Sequence, residues 1–307
     1  MQYSHHLYNT KSCSINISSS SNVTDSYWWA LLSSNYSESS FNTVCLNSLE
    51  IVDFLNNKYI QLSNQNHKKL LLVTADVENL FTNIPLNKLY DILKNYSIPI
   101  SGKDFSLDTL NLLIFNNTFT AYNKHFLQVK GLPMGGPLSG CLANIYLGHL
   151  EKNVIRNYSN SITLYKRYRD DIHILFNDDI HTLNNFLLEL KSAFQINLTF
   201  NISELGINYL DLNIYKNTHN SFTVTPFHKN KNPIINLPLK VDNRPFKTFY
   251  SLTSAQLLRI WRISNNIFNF NQTLNKILLQ VDERKKTIKV IKSFLEPVQL
   301  NKNTLTN

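Results

Sequence analysis

Glycine, cysteine and long apolar runs are all scarce in this chain, and each shortage closes off a class of protein. Cys13, Cys45 and Cys141 are the only three cysteines in 307 residues. Their odd number and lack of metal-ligand spacing exclude a disulfide framework and a zinc site, and point to a reducing, intracellular setting, nuclear or organellar. The longest apolar stretches, such as Tyr27 to Leu32, are far too short for a membrane span, so no membrane partner is expected. Arginine is missing before Arg156, and the only lysines before Asp76 are Lys11, Lys58, Lys68 and Lys69.

Acidic residues are scarce where basic ones gather. Of the formal net charge of +9, the excess lies in the last quarter: His228 to Asn307 holds 14 Lys/Arg against 4 Asp/Glu, while residues 1–227 are near neutral. Such an unbalanced segment suits a polyanion. With 43% apolar residues the chain has enough material for one large or two modest cored domains.

Along the chain, residues 1–40 are rich in Ser and Asn and show no hydrophobic period. Asn47 and Glu50 have the spacing of a capping box before a short helix through Leu49, Val52 and Leu55. Leu70 to Ala75 is an apolar run of strand length that delivers Asp76 at its end. Helical spacing follows at Leu86, Leu89, Tyr90 and Leu93, and again from Leu107 to Phe115. Thr118 to Val129 reads as a hairpin turning at Asn123-Lys124. Four of the seven glycines then fall between Gly131 and Gly140, where the backbone must adopt unusual angles or approach a ligand closely. A helix is expected from Cys141 to Arg156, and another from Ile180 to Phe194, capped by Asp178 or Asp179. Strands are expected at Asn197–Ser203 and Tyr209–Tyr215, and Ser254 opens a basic helix.

Between two strand-like runs sits Asp170-Asp171. Adjacent carboxylates are poor strand material, and their mutual repulsion calls for water or a cation. Either the turn is exposed, or it holds a metal ion. Carboxylates from a strand end (Asp76) and from a neighbouring hairpin, gathered in one antiparallel sheet, would offer hard oxygen donors suited to Mg²⁺. Phe81, five residues after Asp76, would place a bulky ring near the sugar of a nucleotide held there.

These segments carry a resemblance. Thr74-Ala75-Asp76-Val77-Glu78-Asn79-Leu80-Phe81-Thr82-Asn83-Ile84-Pro85, Gly131-Leu132-Pro133-Met134-Gly135-Gly136-Pro137-Leu138-Ser139 and Lys166-Arg167-Tyr168-Arg169-Asp170-Asp171-Ile172 resemble, in order, the first catalytic motif, glycine motif and catalytic hairpin of reverse transcriptases. Leu142 to Tyr146 and Glu151 continue the glycine motif, Tyr209-Leu210-Asp211-Leu212 resembles the element near the primer grip, and Leu257 to Ile263 resembles the thumb helix. Within that group the match is most similar to the Penelope-like retroelement enzymes, relatives of telomerase catalytic subunits.

The resemblance implies an α+β fold: a polymerase palm, with an antiparallel sheet and helices on one face, plus a helical basic thumb. Residues 1–45 would be an arm or degenerate fingers, 46–227 the palm with partial fingers, and 228–307 the thumb. It implies Mg²⁺ or Mn²⁺ on Asp76, Asp170 and Asp171 with the Val77 carbonyl, and Phe81 as a gate against the ribose 2′-hydroxyl. Gly131, Pro133, Met134, Gly135 and Gly136 would line the nucleotide and template pocket. Lys229, Lys231, Lys240, Arg244, Lys247, Arg259 and Arg262 would grip duplex phosphates. The partners would be an RNA template, a DNA primer and deoxynucleoside triphosphates.

The chain also departs from the family's pattern. The upstream fingers motifs are not recognisable, so the triphosphate needs a substitute cation or a second polypeptide supplying the fingers. No lysine lies between Gln195 and Glu204 to act as general acid. Arg169 stands where a smaller residue is usual, and nothing resembling a GIY-YIG endonuclease follows the thumb. Two activities remain: RNA-directed DNA polymerase, or a truncated or repurposed nucleic-acid-binding relative with little turnover.

Overall fold

A computed structural model of the chain describes residues 43–58, 70–95, 111–112, 114–136, 138–217, 221–227, 246–264 and 267–281. The helices are α1 (Leu49–Asp53, continued by a π-turn over Phe54–Lys58), α2 (Leu80–Asn83), α3 (Leu86–Asn95), α4 (Ser139–Asn157), α5 (Ile180–Phe194), α6 (Phe246–Ile263) and α7 (Ile267–Val281). The strands are β1 (Leu70–Val77), β2 (Thr118–Ala121), β3 (Lys124–Leu127), β4 (Ile162–Tyr168), β5 (Asp171–Asn177), β6 (Leu198–Ser203), β7 (Gly206–Tyr209), β8 (Leu212–Lys216) and β9 (Phe222–Pro226).

The centre is a four-stranded sheet in the order β4-β5-β1-β6, antiparallel throughout. The apolar run of β1 suits it to be, with β5, one of the two strands paired on both sides, and its two faces pack into two different cores. Leu71, Val73, Ala75 and Val77 join Ile172, Ile174 and Phe176 of β5 under α3, α4 and α5. On the opposite face Leu70 and Leu72 meet Leu164, Leu175, α1, the sheet β7-β8-β9 and Ile263 of α6. Helices on one face are thus present as the sequence implied. The second cover was not foreseen, and it makes the sheet an interior slab rather than a half-exposed one. No described helix is long and apolar enough to cross a membrane.

Local chemistry sets the element ends. Asp179 caps α5, its carboxylate accepting the Thr182 amide at 2.7 Å, and that bond pulls its pKa below the ordinary carboxylate value. A group with a depressed folded-state pKa contributes stability above its unfolded pKa and loses it as the pH falls through the folded one. Asp179→Ala therefore lowers Tm by a few degrees at neutral pH, and the two melting curves begin to converge only as the pH falls below about 4, meeting below the depressed folded-state pKa.

Three expectations shift in register. The β2–β3 turn is Tyr122-Asn123, not Asn123-Lys124, because both residues adopt positive φ, 51° and 57°. The Tyr209–Tyr215 run is not one strand: Leu210 turns at φ 52°, so its alternation continues through a tight β7–β8 turn. At α1 the Asn47 side chain accepts the Leu49 amide and Glu50 reaches back to the Leu46 amide, so the capping box is offset by a residue. Most of the Leu107–Phe115 helix lies outside the described residues, as do residues 1–42 and 228–245.

Candidate catalytic site

Period-2 geometry decides where the carboxylates stand. Asp76 and Asp171 are directly opposed in the β1–β5 register, so their side chains share a face at the open end of the sheet. Asp76 is exposed and Asp171 half-buried. Asp170 occupies the β4–β5 turn, half-buried, and its carbonyl accepts the Val77 amide at 3.0 Å, tying the turn to the end of β1. The preceding Arg169 has φ 56°, a left-handed conformation that folds the hairpin tightly enough for this contact.

Among the described residues no group of three or more His, Cys, Asp or Glu side chains is close enough together to hold a metal ion. The structure brings Asp76 and Asp171 face to face and fixes Asp170 beside them through the main chain. Like charges opposed across a strand pair are unfavourable unless something offsets them. The donor chemistry, two carboxylates with a third adjoining and no nitrogen or sulfur, fits a hard divalent cation.

His173 lies two residues beyond Asp171 on the same face, but points into the second core and is fully buried. Its ring lies 5.1 Å from that of Tyr209, and neither nitrogen has a hydrogen-bond partner of good geometry. Burial pushes its pKa down to about 4 against a weak opposing influence of the Val73 backbone. It is a packed neutral ring.

The glycine loop docks on the segment that follows Asp76. Asn79 at φ 49° opens α2, which carries a half-buried Phe81 packed against the helical core. The Phe81 carbonyl accepts the Leu132 amide at 2.7 Å. Gly131, at φ 72°, lies so close that a Cβ would sit 2.5 Å from the Thr82 Cα. Next to it the Pro133 carbonyl accepts both the Gly136 amide (3.2 Å) and the Ser139 hydroxyl (2.6 Å), turning the chain into α4. Met134 is 71% exposed. Gly135 also has positive φ, 80°, but open space around its missing Cβ. Gly135→Ala thus costs backbone strain alone, about 1–2 kcal/mol. Gly131→Ala costs more, because backbone must also move; denaturant unfolding of the two variants should rank them in that order.

Behind the β4–β5 hairpin lies a buried ion pair that motif reading did not separate from the surrounding basic residues. Arg167 and Glu151 both have fully buried side chains, the Nε–Oε2 distance is 2.9 Å, and a second guanidinium nitrogen reaches Oε1 at 3.3 Å. Arg167 also donates to the Asn144 side chain (2.8 Å) and the Arg169 carbonyl (3.2 Å). The Tyr165 hydroxyl (2.9 Å) and the Thr43 hydroxyl (2.7 Å) both donate to Glu151. Burial alone would push the guanidinium pKa down, but the Glu151 charge and hydrogen bonds outweigh it and the net shift is upward. Tyr165 is held well above its ordinary value, first by burial and then by Glu151. A signal did exist: Glu151 is the single carboxylate between Asp108 and Asp170.

Of the residues expected to grip a duplex, Lys229, Lys231, Lys240 and Arg244 lie outside the described residues, and Lys247 is on α6 without a described side chain. Arg259 is half-exposed and turned onto the palm: it donates to Asp211 at 2.6 Å and to Ser48 at 3.4 Å. Arg262 is exposed in the last turn of α6.

The same fold occurs in solved telomerases. The chain is 12% identical to telomerase from Candida albicans, solved with a fragment of telomeric RNA, over 89% of its length and 49% of that chain, with a TM-score of 0.61. For apo telomerase from Candida tropicalis the values are 13%, 91%, 51% and 0.56. The chain thus spans about half the length of these telomerases. No curated protein matches it in sequence. The family described as reverse transcriptase (RNA-dependent DNA polymerase) matches residues 28–204, more than half of the chain and inclusive of both carboxylate segments and the glycine loop; this chain belongs to the reverse transcriptase family.

Proposed function

We propose that the chain is an RNA-directed DNA polymerase of the Penelope-like kind, adding deoxynucleotides to a primer 3′ end. The observation that carries this reading is the cross-strand pair Asp76–Asp171, with Asp170 held against Val77. Asp76, Asp170 and Asp171, with the Val77 carbonyl, would hold Mg²⁺ or Mn²⁺, which when bound supplies activation of the attacking hydroxyl and stabilisation of the leaving oxygen. The residues themselves do the positioning. Phe81 excludes a 2′-hydroxyl by bulk, and the Gly131–Gly136 backbone lets the incoming nucleotide and its template base approach α2 closely. Arg262 and the basic stretch through Lys229, Lys231, Lys240, Arg244 and Lys247 neutralise backbone phosphates, with residues 228–307 serving as thumb.

A second reading, nucleic-acid binding with little turnover, is favoured by the sparse cations upstream of Asp76, four lysines and no arginine. Primer extension on poly(rA) annealed to oligo(dT), with dTTP and Mg²⁺ or Mn²⁺, separates the two. Extension by the wild type that Asp170→Asn lacks supports the polymerase. If neither extends while both bind the duplex with a salt-sensitive affinity, the second reading replaces it.

A further inference from the structure

The β2–β3 hairpin displays apolar side chains that the fold does not use. Phe119 and Phe126 stack across the two strands at 5.5 Å between ring centroids, and Phe119 is half-exposed. Leu127 and Val129 on the flank are exposed as well. At the tip, Tyr122 is 96% exposed although its φ is 51°. A turn with positive φ at both central residues is filled with least strain by Asn-Gly or Asp-Gly. A tyrosine there is strained, and its ring has no packing among the described residues to compensate.

Charge identifies what the surface meets. Not one Asp or Glu lies between Asp108 and Glu151, while Lys124, His125 and Lys130 are exposed on the hairpin and its exit. Aromatic faces interleaved with cations, and free of carboxylates over so long a span, suit single-stranded nucleic acid: bases stack, and lysines offset phosphates. Paired bases cannot offer their faces in this way. The hairpin is also joined to the candidate site. The Gln128 side-chain amide donates to the carbonyls of Lys130 (3.0 Å) and Gly131 (3.1 Å), and Gly131 rests on Thr82 just beyond Asp76.

We propose that the β2–β3 hairpin is a stacking platform for the unpaired template strand on its way to the carboxylates. Tyr122 and the Phe119–Phe126 pair supply ring faces, and Lys124 and Lys130 neutralise phosphates. That the strand is a template rests on the polymerase reading; that it is single-stranded nucleic acid rests on the hairpin.

The test is fluorescence anisotropy with the full chain, without nucleotides or divalent metal. The probes are an RNA–DNA duplex bearing a 5′ oligo(rA) overhang of about eight nucleotides, within the size of known single-strand sites, and the same duplex blunt. The wild type prefers the overhang by about five- to 150-fold, the range of one stacked base. Tyr122→Asn, which puts a residue at home in left-handed backbone at the tip, removes most of that preference, and Lys124→Ser lowers the salt slope by about one. A wild type indifferent to the overhang, or a Tyr122→Asn chain that keeps the full preference, overturns the proposal. If Tyr122→Asn instead abolishes self-association in sedimentation while the preference stays, the surface meets a second copy and the proposal also falls. Primer extension keeps the two readings apart: with no extension but the preference lost in Tyr122→Asn, only the polymerase reading fails; with extension and an unaffected preference, only the platform does.

Discussion

Asp76→Asn lowers RNA-templated primer extension by about 10²–10³-fold or more, the scale of losing a group aimed at developing charge, and does so without lowering Tm. The second half of this outcome follows from the β1–β5 register. Asp76 opposes Asp171 directly, so neutralising one of them relieves repulsion worth up to about 1 kcal/mol in the folded chain. Activity and stability therefore move in opposite directions, as expected where a fold keeps an unfavourable arrangement for its chemistry. Extension assays on the purified variant, beside its thermal melt, read both. A variant that melts several degrees lower and loses activity only in proportion would make Asp76 a structural residue.

Arg167→Met destabilises the chain by about 3–5 kcal/mol, because it leaves the fully buried Glu151 without its charge partner. The double variant Arg167→Met with Glu151→Leu recovers much of the loss, since an apolar pair of similar volume has no charge to desolvate. Recovery is incomplete for two reasons visible in the network. The hydroxyls of Tyr165 and Thr43 lose their acceptor, and the Arg169 carbonyl and the Asn144 oxygens lose their donor. Of these the Arg169 contact bears most on the proposed function, because it braces the turn that carries Asp170. Denaturant unfolding of the two single variants and the double gives the coupling energy directly. A cost below about 1 kcal/mol for Arg167→Met would mean that the pair contributes little to the fold.

What could be read from the sequence was what one-dimensional spacing encodes. The apolar run ending in Asp76, the Asp170-Asp171 hairpin, the glycine cluster and the period of α5 each express a local geometry in adjacent letters, and each lies where that geometry put it. Pairings between distant residues were not legible. Glu151 stands out as a lone carboxylate, but nothing in the letters pairs it with Arg167, and nothing near Arg259 announces Asp211 and Ser48. The small sheet over the second face was hidden for a related reason. Leu210 keeps the alternation of a strand while its backbone turns, and Phe222 to Pro226 is too short to stand out without its β8 partner. Tyr122 is the opposite case: the residue was visible, but only its dihedral angle shows that it is strained.

β1 is hydrogen-bonded along both edges and covered on both faces, so amide hydrogens from Leu72 to Ala75 should exchange with solvent only when the whole molecule opens, whereas those at the β2–β3 tip should exchange within local fluctuations. A slow-exchanging interior ending in an exposed carboxylate means that Asp76 and Asp171 cannot drift apart to relax. Their confrontation is settled once, as the chain folds, so that under the polymerase reading proposed above each nucleotide addition would start from donors already in position.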